Sequence, residues 1–123
     1  MKTYYTDGGS RNNGQRGNQF AVICVADARG KPVIFEEIGD KTNNEAELTA
    51  IFRCLQLPHD RPIKIISDSQ LAVNLVNRAW KTKLPNLSGI LSSIWLTPAQ
   101  YELVWQPRET NRAGHIIEAR YGL

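Results

Sequence analysis

The sequence predicts an α/β fold in which helices flank a five-stranded mixed sheet. Three strands come first, and a helix, a strand, two helices, a strand and a last helix follow them. This order is typical of a mixed sheet with helices on its faces, and a short connection within the first three strands adds one antiparallel hairpin. A chain of 123 residues can bury a core of its own, so we expect residues 1–123 to form a single domain.

The strands are predicted from runs of β-favouring residues between turn residues. They cover residues 2–8, 20–26, 33–38, 63–67 and 102–105. A loop rich in glycine and asparagine follows the first strand, and its backbone N–H groups are expected to be free to approach a phosphate or a sugar. The second and third strands flank a short turn, which favours antiparallel pairing.

The helices are predicted from apolar residues at helical spacing. Thr42 and Glu45 form a capping box that begins a helix ending near Gln56, before Pro58. Further helices are expected over residues 70–78, 87–96 and 110–120.

The composition is that of an ordinary globular protein, with 41% hydrophobic and 22% charged residues. No apolar run approaches the ~20 residues of a membrane span, and no apolar segment typical of a secretory signal follows the first methionine. We therefore expect a cytoplasmic monomer with no membrane partner. Cys24 and Cys54 have apolar neighbours and are expected to be buried free thiols.

The positive charge is concentrated in the later part of the chain. Fifteen basic and twelve acidic residues give a net charge of +3, and the whole surplus follows Asp68. Such a surplus is common on a solvated surface, but beside a group of carboxylates it fits a polyanionic substrate.

Three carboxylates lie where a predicted element begins or ends. Asp7 and Asp68 close the first and fourth strands, and Glu47 lies in the first turns of the first helix, beside its apolar face. Because ligands collect at the carboxyl ends of parallel strands, we expect these side chains to converge. Hard oxygen ligands of this kind suit Mg²⁺ or Mn²⁺. Taken singly, each acid is also common as a turn residue or at a helix N-terminus.

Four segments resemble type 1 ribonuclease H, in the same order along nearly the whole chain. They are residues 5–10 (YTDGGS) with Asn13, residues 42–48 (TNNEAEL), residues 67–70 (SDSQ) and residues 105–113 (WQPRETNRA). One such segment is a weak match, whereas four in this order and spacing are specific. The resemblance implies the ribonuclease H-like fold, whose five-stranded mixed sheet has the element order predicted above.

The resemblance also implies an endoribonuclease that hydrolyses the RNA strand of RNA–DNA hybrids. Asp7, Glu47 and Asp68 match the family's metal-binding catalytic carboxylates, which hold two Mg²⁺ or Mn²⁺ ions per site. Aligning the last segment places His115 at the family's fourth acidic position as a further catalytic metal ligand. A neutral imidazole there suits Mn²⁺ better than Mg²⁺. A solvent-facing helix histidine is the alternative interpretation.

Contacts to the hybrid are implied for seven residues. The Gly8 backbone, Asn13, Asn44 and Gln70 would contact the RNA minor groove, and Thr42 would contact a DNA phosphate. Trp80 and Lys81 belong to the shortened form of the family's basic protrusion and would contact the hybrid from there. The polar residues at helix starts also fit plain capping roles, and the tryptophan also fits a loop anchor. Glu109 lies in a shortened loop where many relatives carry a histidine for product release, and is a candidate stand-in.

Two other interpretations remain open. The histidine at the fourth acidic position and the shortened protrusion also fit a catalytically weak or inactive hybrid-binding module. The three carboxylates alone also fit a nuclease of the same fold that acts on another nucleic acid. Metal-dependent cleavage of hybrid, double-stranded RNA and double-stranded DNA separates these alternatives.

Overall fold

The computed structural model describes residues 1–123 and contains five strands and four helices. The strands are β1 (Lys2–Arg11), β2 (Phe20–Asp27), β3 (Pro32–Gly39), β4 (Ile63–Ser67) and β5 (Tyr101–Trp105). The helices are α1 (Asn43–Gln56), α2 (Gln70–Val76), α3 (Pro85–Leu96) and α4 (Arg112–Tyr121), and a 3-10 turn spans Arg108–Thr110. None of the four helices combines the length and the apolar character needed to cross a membrane.

The five strands form one mixed sheet in the order β3-β2-β1-β4-β5. β1, β2 and β3 pair antiparallel in succession, whereas β4 pairs parallel with both β1 and β5. Thr6 lies opposite Ser67, so the residues that follow them, Asp7 and Asp68, reach the same edge of the sheet. The predicted five-stranded mixed sheet is confirmed, and it has a second antiparallel pair, β1 with β2, beyond the one hairpin predicted.

Helices cover both faces of the sheet. On one face α1, α2 and α3 pack around an apolar cluster of 15 buried residues that includes Leu48 and Ile65. On the other face α4 packs through Ala113 and Ile117 against Val22. Burial of these apolar side chains is the main stabilising contribution, and it holds the strand ends and helix starts in fixed relation.

Both cysteines are buried free thiols, as predicted. Burial raises the pKa of Cys24 and of Cys54 to about 12. Neither thiolate therefore forms near neutral pH, and we assign these side chains to packing.

The observed elements follow the predicted ones closely, with one larger difference. β1 continues through Gly8 and Gly9 to Arg11, where a loop was expected. Pairing with β2 continues over both glycines, and this holds them in the strand. α4 begins two residues later than predicted, because the Asn111 side chain caps it and the residues before it form the 3-10 turn.

Candidate active site

Glu47 is carried to the sheet by the first turns of α1. Thr42 Oγ1 accepts from the Glu45 N–H, and the Thr42 N–H donates to Glu45 Oε1, so the predicted capping box is present. The cap fixes where the helix begins and thereby sets which residues face β1. Glu47 Oε1 then accepts a 2.8 Å hydrogen bond from the backbone N–H of Gly8.

Asp7, Glu47 and Asp68 converge at the edge of the sheet, with one carboxylate oxygen of each within 4.8 Å of the others. Asp7 is 1% exposed and Glu47 is 9% exposed. Carboxylates buried this close together repel one another unless protons or cations compensate their charge. Asp7 Oδ1 is buried and has no hydrogen-bond donor, so either a cation or a proton shared between the Asp7 and Glu47 carboxyls would satisfy this carboxylate.

The pKa values of two of these carboxyls are raised. Burial raises the pKa of Asp7 to about 6, and the negative charge of Asp68 adds to the shift while Arg108 opposes it. Burial also raises the pKa of Glu47 well above its usual range, with a further contribution from the charges of Asp7 and Asp68. Without a metal the group therefore holds protons at mildly acidic pH, and a divalent cation would release them.

Arg108 places its guanidinium between two of the carboxylates. Its Nη1 donates to Asp7 Oδ2 at 3.0 Å and to Asp68 Oδ2 at 3.3 Å. Its Nη2 donates to the Leu123 carbonyl at 3.0 Å. Gly114 provides the space, since a Cβ built there would lie 3.2 Å from both Arg108 Nη1 and Asp7 Oδ2.

Asn111 ties α4 to the carboxylates. Its Nδ2 donates to Asp68 Oδ2 at 2.9 Å and to the Thr6 carbonyl at 3.0 Å. Its Oδ1 accepts from the N–H groups of Ala113 and Gly114. One fully buried side chain thus caps the helix and orients Asp68.

A polar cleft opens beside the carboxylates and over the start of α1. Its 11 lining residues include only one hydrophobic residue, and among them are Glu47, Arg108, Asn43, Asn44 and Glu118. A cleft of this character suits a charged, hydrogen-bonding ligand better than an apolar one.

The loop between β1 and β2 is anchored against α1. Arg16 Nη2 donates to Glu45 Oε1 at 2.9 Å, and Arg16 Nη1 donates to the Asp40 carbonyl. In the same loop Asn13 Oδ1 accepts from the Asn43 N–H at 2.8 Å. Asn13 is therefore held at the helix start, beside the cleft.

Of the other residues predicted to contact the hybrid, three lie where α1 and α2 begin and two lie on the connector between α2 and α3. Asn44 lines the cleft, and Gln70 is exposed at the start of α2, while Thr42 is occupied as the α1 cap. Trp80 and Lys81 lie on the exposed connector between α2 and α3 and line a different groove.

The expectation for the Gly8 backbone is wrong in one respect. Its N–H was expected to be free to approach a phosphate or sugar, but it lies in β1 and is bonded to Glu47. The approach of α1 occupies this N–H inside the protein, whereas the rest of the Gly8 backbone lines the cleft.

His115 does not join the group of side chains whose ligand atoms lie within 4.8 Å of one another. It is exposed on α4 and is absent from the group that Asp7, Glu47 and Asp68 form. Glu118, about one turn further along the same helix, lines the cleft instead. Glu109 is exposed within the 3-10 turn.

Three side chains of this site were not singled out from the sequence: Arg108, Asn111 and Glu118. The first two lie within the WQPRETNRA segment that carries part of the resemblance. No local pattern distinguishes a basic residue that reaches a carboxylate 101 positions away from one that faces solvent.

A comparison with protein families gives one match. The RNase H family profile matches residues 1–102. The segment with Arg108 and His115 lies beyond these residues. Among curated proteins no significant match is found.

Solved structures resemble the chain over nearly its whole length. RNase H1 from the halophilic archaeon Halobacterium salinarum NRC-1 is 28% identical, with a TM-score of 0.75 and coverage of 99% of this chain and 98% of that one. LC11-RNase H1, isolated from compost by a metagenomic approach and solved in complex with an RNA/DNA hybrid, is 28% identical, with a TM-score of 0.73 and coverage of 94% and 92%. The N-terminal RNase H domain of a Mycobacterium tuberculosis protein is 25% identical, with a TM-score of 0.71 and coverage of 91% of each chain. Since the family profile spans well over half of the sequence and these folds match nearly all of it, the chain belongs to the RNase H family.

Proposed function

We propose that the protein hydrolyses the RNA strand of RNA–DNA hybrids with the help of a divalent metal ion. The observation that carries this proposal is the convergence of Asp7, Glu47 and Asp68 beside a polar cleft. The similarity to LC11-RNase H1, which was solved with an RNA/DNA hybrid, supports the same class of substrate here.

The three carboxylates fit Mg²⁺ or Mn²⁺. They offer hard oxygen ligands, and Asp7 Oδ1 is buried without a partner. Burial raises the pKa values of Asp7 and Glu47, and the crowding of negative charge, which a cation would relieve, adds to both shifts. When bound, such an ion would supply a water activated near neutral pH and would neutralise charge at the leaving oxygen.

The chain's own polar groups would orient the hybrid. Asn44 and Gln70 are exposed where α1 and α2 begin, close to the carboxylates. Their amides can donate to and accept from a 2′-hydroxyl, the group that distinguishes RNA from DNA. Asn13 uses Oδ1 to hold the start of α1, which leaves its NH₂ group to donate to the substrate.

The remaining predicted contacts would act on the backbone of the hybrid. Thr42, at the N-terminus of α1, is placed where a phosphate is favoured by the helix dipole. Trp80 is 48% exposed, and with Lys81 it can extend the contact through stacking and charge. Gly8 lines the cleft, so its backbone can contact the hybrid, and its N–H holds Glu47 in orientation.

Cleavage assays test the proposal directly. Labelled RNA–DNA hybrid, double-stranded RNA and double-stranded DNA are incubated with Mg²⁺ or Mn²⁺. We expect cleavage of the RNA strand of the hybrid, intact DNA, and no reaction after chelation. Equal cleavage of duplex DNA would contradict the hybrid specificity, and binding without cleavage under either metal would indicate the inactive module.

Neutralising each carboxylate tests the site. Asp7→Asn, Glu47→Gln and Asp68→Asn should each lower turnover roughly a hundredfold or more, as loss of a key electrostatic group in other active sites does. Asp60→Asn is the matched control, because Asp60 is exposed and lies just before β4, at the end of that strand opposite Asp68. Near-wild-type turnover of any of the three would remove that residue from the catalytic set.

A further inference from the structure

We propose that Arg108 is a resident cation of the active site, so that the site takes one divalent ion and not the two that the family resemblance implies. The inference rests on the proposed metal-dependent function. It concerns which oxygens of the three carboxylates are left for a metal.

The guanidinium already occupies the position between Asp7 and Asp68. One nitrogen, Nη1, lies 3.0 Å from Asp7 Oδ2 and 3.3 Å from Asp68 Oδ2, so both oxygens share one positively charged donor. The second nitrogen is held by the Leu123 carbonyl at 3.0 Å. Both terminal nitrogens of Arg108 therefore have partners, and these contacts orient the guanidinium although 43% of the side chain is exposed.

The acceptor that has no partner is the other oxygen of Asp7. Asp68 Oδ2 accepts from both Arg108 and Asn111, whereas Asp7 Oδ1 is buried and accepts no hydrogen bond. Glu47 is the remaining carboxylate, and no cationic side chain pairs with it. A single ion bound by Asp7 Oδ1 and Glu47 would complete the site.

The charges agree with one ion. Three ionised carboxylates and one guanidinium leave two negative charges, which one divalent cation neutralises. Two divalent ions together with Arg108 would place five positive charges against three negative ones. His115 adds no negative charge at the fourth acidic position of the family, and Glu118, which lines the cleft from α4, could offset only one of the two excess charges.

The backbone of α4 is shaped to admit the guanidinium. Gly114 lies beside the ion pair, and a Cβ there would stand 3.2 Å from Arg108 Nη1. Contacts this tight require the neighbour to move by a few tenths of an ångström. An alanine at this position would therefore loosen the contact between Arg108 and Asp7 by a small shift of either side chain, and it would leave the charge of Arg108 in place.

Counting bound Mn²⁺ tests the inference without a nucleic acid. Isothermal titration and the electron paramagnetic resonance signal of free Mn²⁺ give the number of ions and their affinity for the metal-free protein. Arg108→Gln removes the charge, Arg108→Lys keeps it, and Arg112→Gln is the matched control at the start of α4, where Arg112 lies over Tyr5 and away from the carboxylates. Melting curves establish that each variant is folded.

One Mn²⁺ is expected for the wild type, Arg108→Lys and Arg112→Gln. Arg108→Gln should bind a second ion, magnetically coupled to the first, and should bind the first roughly tenfold more tightly or better, because a repelling charge has been removed. Gly114→Ala should shift affinity in the same direction, and it replaces a helical glycine with a better helix former, so it keeps the inference testable if Arg108→Gln unfolds.

Two results would overturn the inference: two ions in the wild type, or an unchanged ion number and affinity in Arg108→Gln and Gly114→Ala. Failure of the proposed function is a separate outcome. A protein that binds one Mn²⁺ but does not cut the hybrid would contradict the function alone, and a protein that cuts the hybrid with two bound ions would contradict the role of Arg108 alone.

Discussion

The backbone N–H of Gly8 donates to Glu47 Oε1 at 2.8 Å, and this contact exists because Gly8 has no side chain. A Cβ on Gly8 would lie 2.5 Å from the Ala46 carbonyl oxygen and 2.6 Å from the Glu47 nitrogen. Helix α1 therefore approaches β1 more closely than any other residue would allow at this position. The same approach brings the carboxylate of Glu47 to Asp7.

Gly8→Ala should consequently damage both the fold and the site. The new methyl group meets backbone, which cannot rotate away, so we expect a decrease of about 3 kcal/mol or more in the free energy of unfolding, the upper end of overpacking effects. Hybrid cleavage should fall as Glu47 is displaced from Asp7. Urea unfolding and cleavage rates measure the two effects.

Gly9→Ala is the matched control for this prediction. Gly9 is the next residue of β1, and its Cβ would make only ordinary contacts, the nearest at 3.5 Å from Leu123 Cβ. We expect stability within about 1 kcal/mol of the wild type, because the alanine also reduces the freedom of the unfolded chain. Equal effects of the two substitutions would contradict the role assigned to the Gly8 approach.

The raised pKa of Asp7 predicts how the stability of the metal-free protein changes with pH. In the unfolded chain this carboxyl has a pKa of about 4, whereas burial raises it to about 6 in the folded protein. Between these values the folded state binds more protons than the unfolded state, so Asp7 lowers stability progressively as pH rises through that window. The penalty persists at neutral pH until a metal binds.

Asp7→Asn should remove this penalty. With chelator present, the variant should gain stability relative to the wild type as pH rises from about 4 to about 7, on the order of 2 kcal/mol at neutral pH. Addition of Mn²⁺ should stabilise the wild type and not the variant. Urea unfolding at several pH values measures the difference between the two proteins.

Asp40→Asn should show the opposite pH dependence. A hydrogen bond from the Gln19 side chain lowers the pKa of Asp40. Its contribution to stability is thus present above the unfolded pKa and disappears as pH falls through the folded value. If both variants changed in the same direction with pH, the assignment of the Asp7 effect to burial would be wrong.

The sequence predicted the parts of the site that depend on local signals. The capping box determined where α1 begins, and strand-ending aspartates in parallel neighbours had to share an edge of the sheet. Asp7, Glu47 and Asp68 therefore could be placed together from sequence alone. The path of β1 through Gly8 and Gly9 could not, because composition favoured a loop while long-range pairing with β2 favours a strand.

The residues that sequence reasoning missed act across long separations. Arg108 reaches Asp7 over 101 positions, and Asn111 reaches the Thr6 carbonyl over 105 positions. Such contacts depend on how α4 and the 3-10 turn pack against β1, which no periodic pattern encodes. The prediction that α4 begins at residue 110 missed a local signal instead, since the Asn111 side chain caps the helix through the N–H groups of Ala113 and Gly114.

The connector between α2 and α3 should contribute to hybrid binding through its charge. Lys81 and Lys83 are both exposed there. Replacing both with alanine should reduce the slope of log affinity against log salt by roughly one to two units, because each phosphate that a lysine neutralises contributes about 0.9 to that slope. Fluorescence anisotropy with a labelled hybrid at several salt concentrations gives the slope.

A double substitution of Lys2 and Lys31 by alanine is the matched control for the salt dependence. It removes the same charge at the opposite end of β1 from Asp7, where β1 begins and where β2 connects to β3. Its salt slope should equal that of the wild type. An unchanged slope after the Lys81 and Lys83 substitutions would leave the connector as a solvated loop.

For His115 the sequence and the structure lead to different expectations. As a fourth metal ligand, it should be needed for activity with Mn²⁺. The structure instead leaves it exposed on α4 and outside the three-carboxylate group. We therefore expect His115→Ala to keep the cleavage rate and the preference between Mg²⁺ and Mn²⁺ of the wild type, with a free energy of unfolding that changes by no more than about 0.5 kcal/mol. Cleavage rates and Mn²⁺ affinity measured together decide the question, since a parallel decrease of both in a folded variant would return His115 to the metal site.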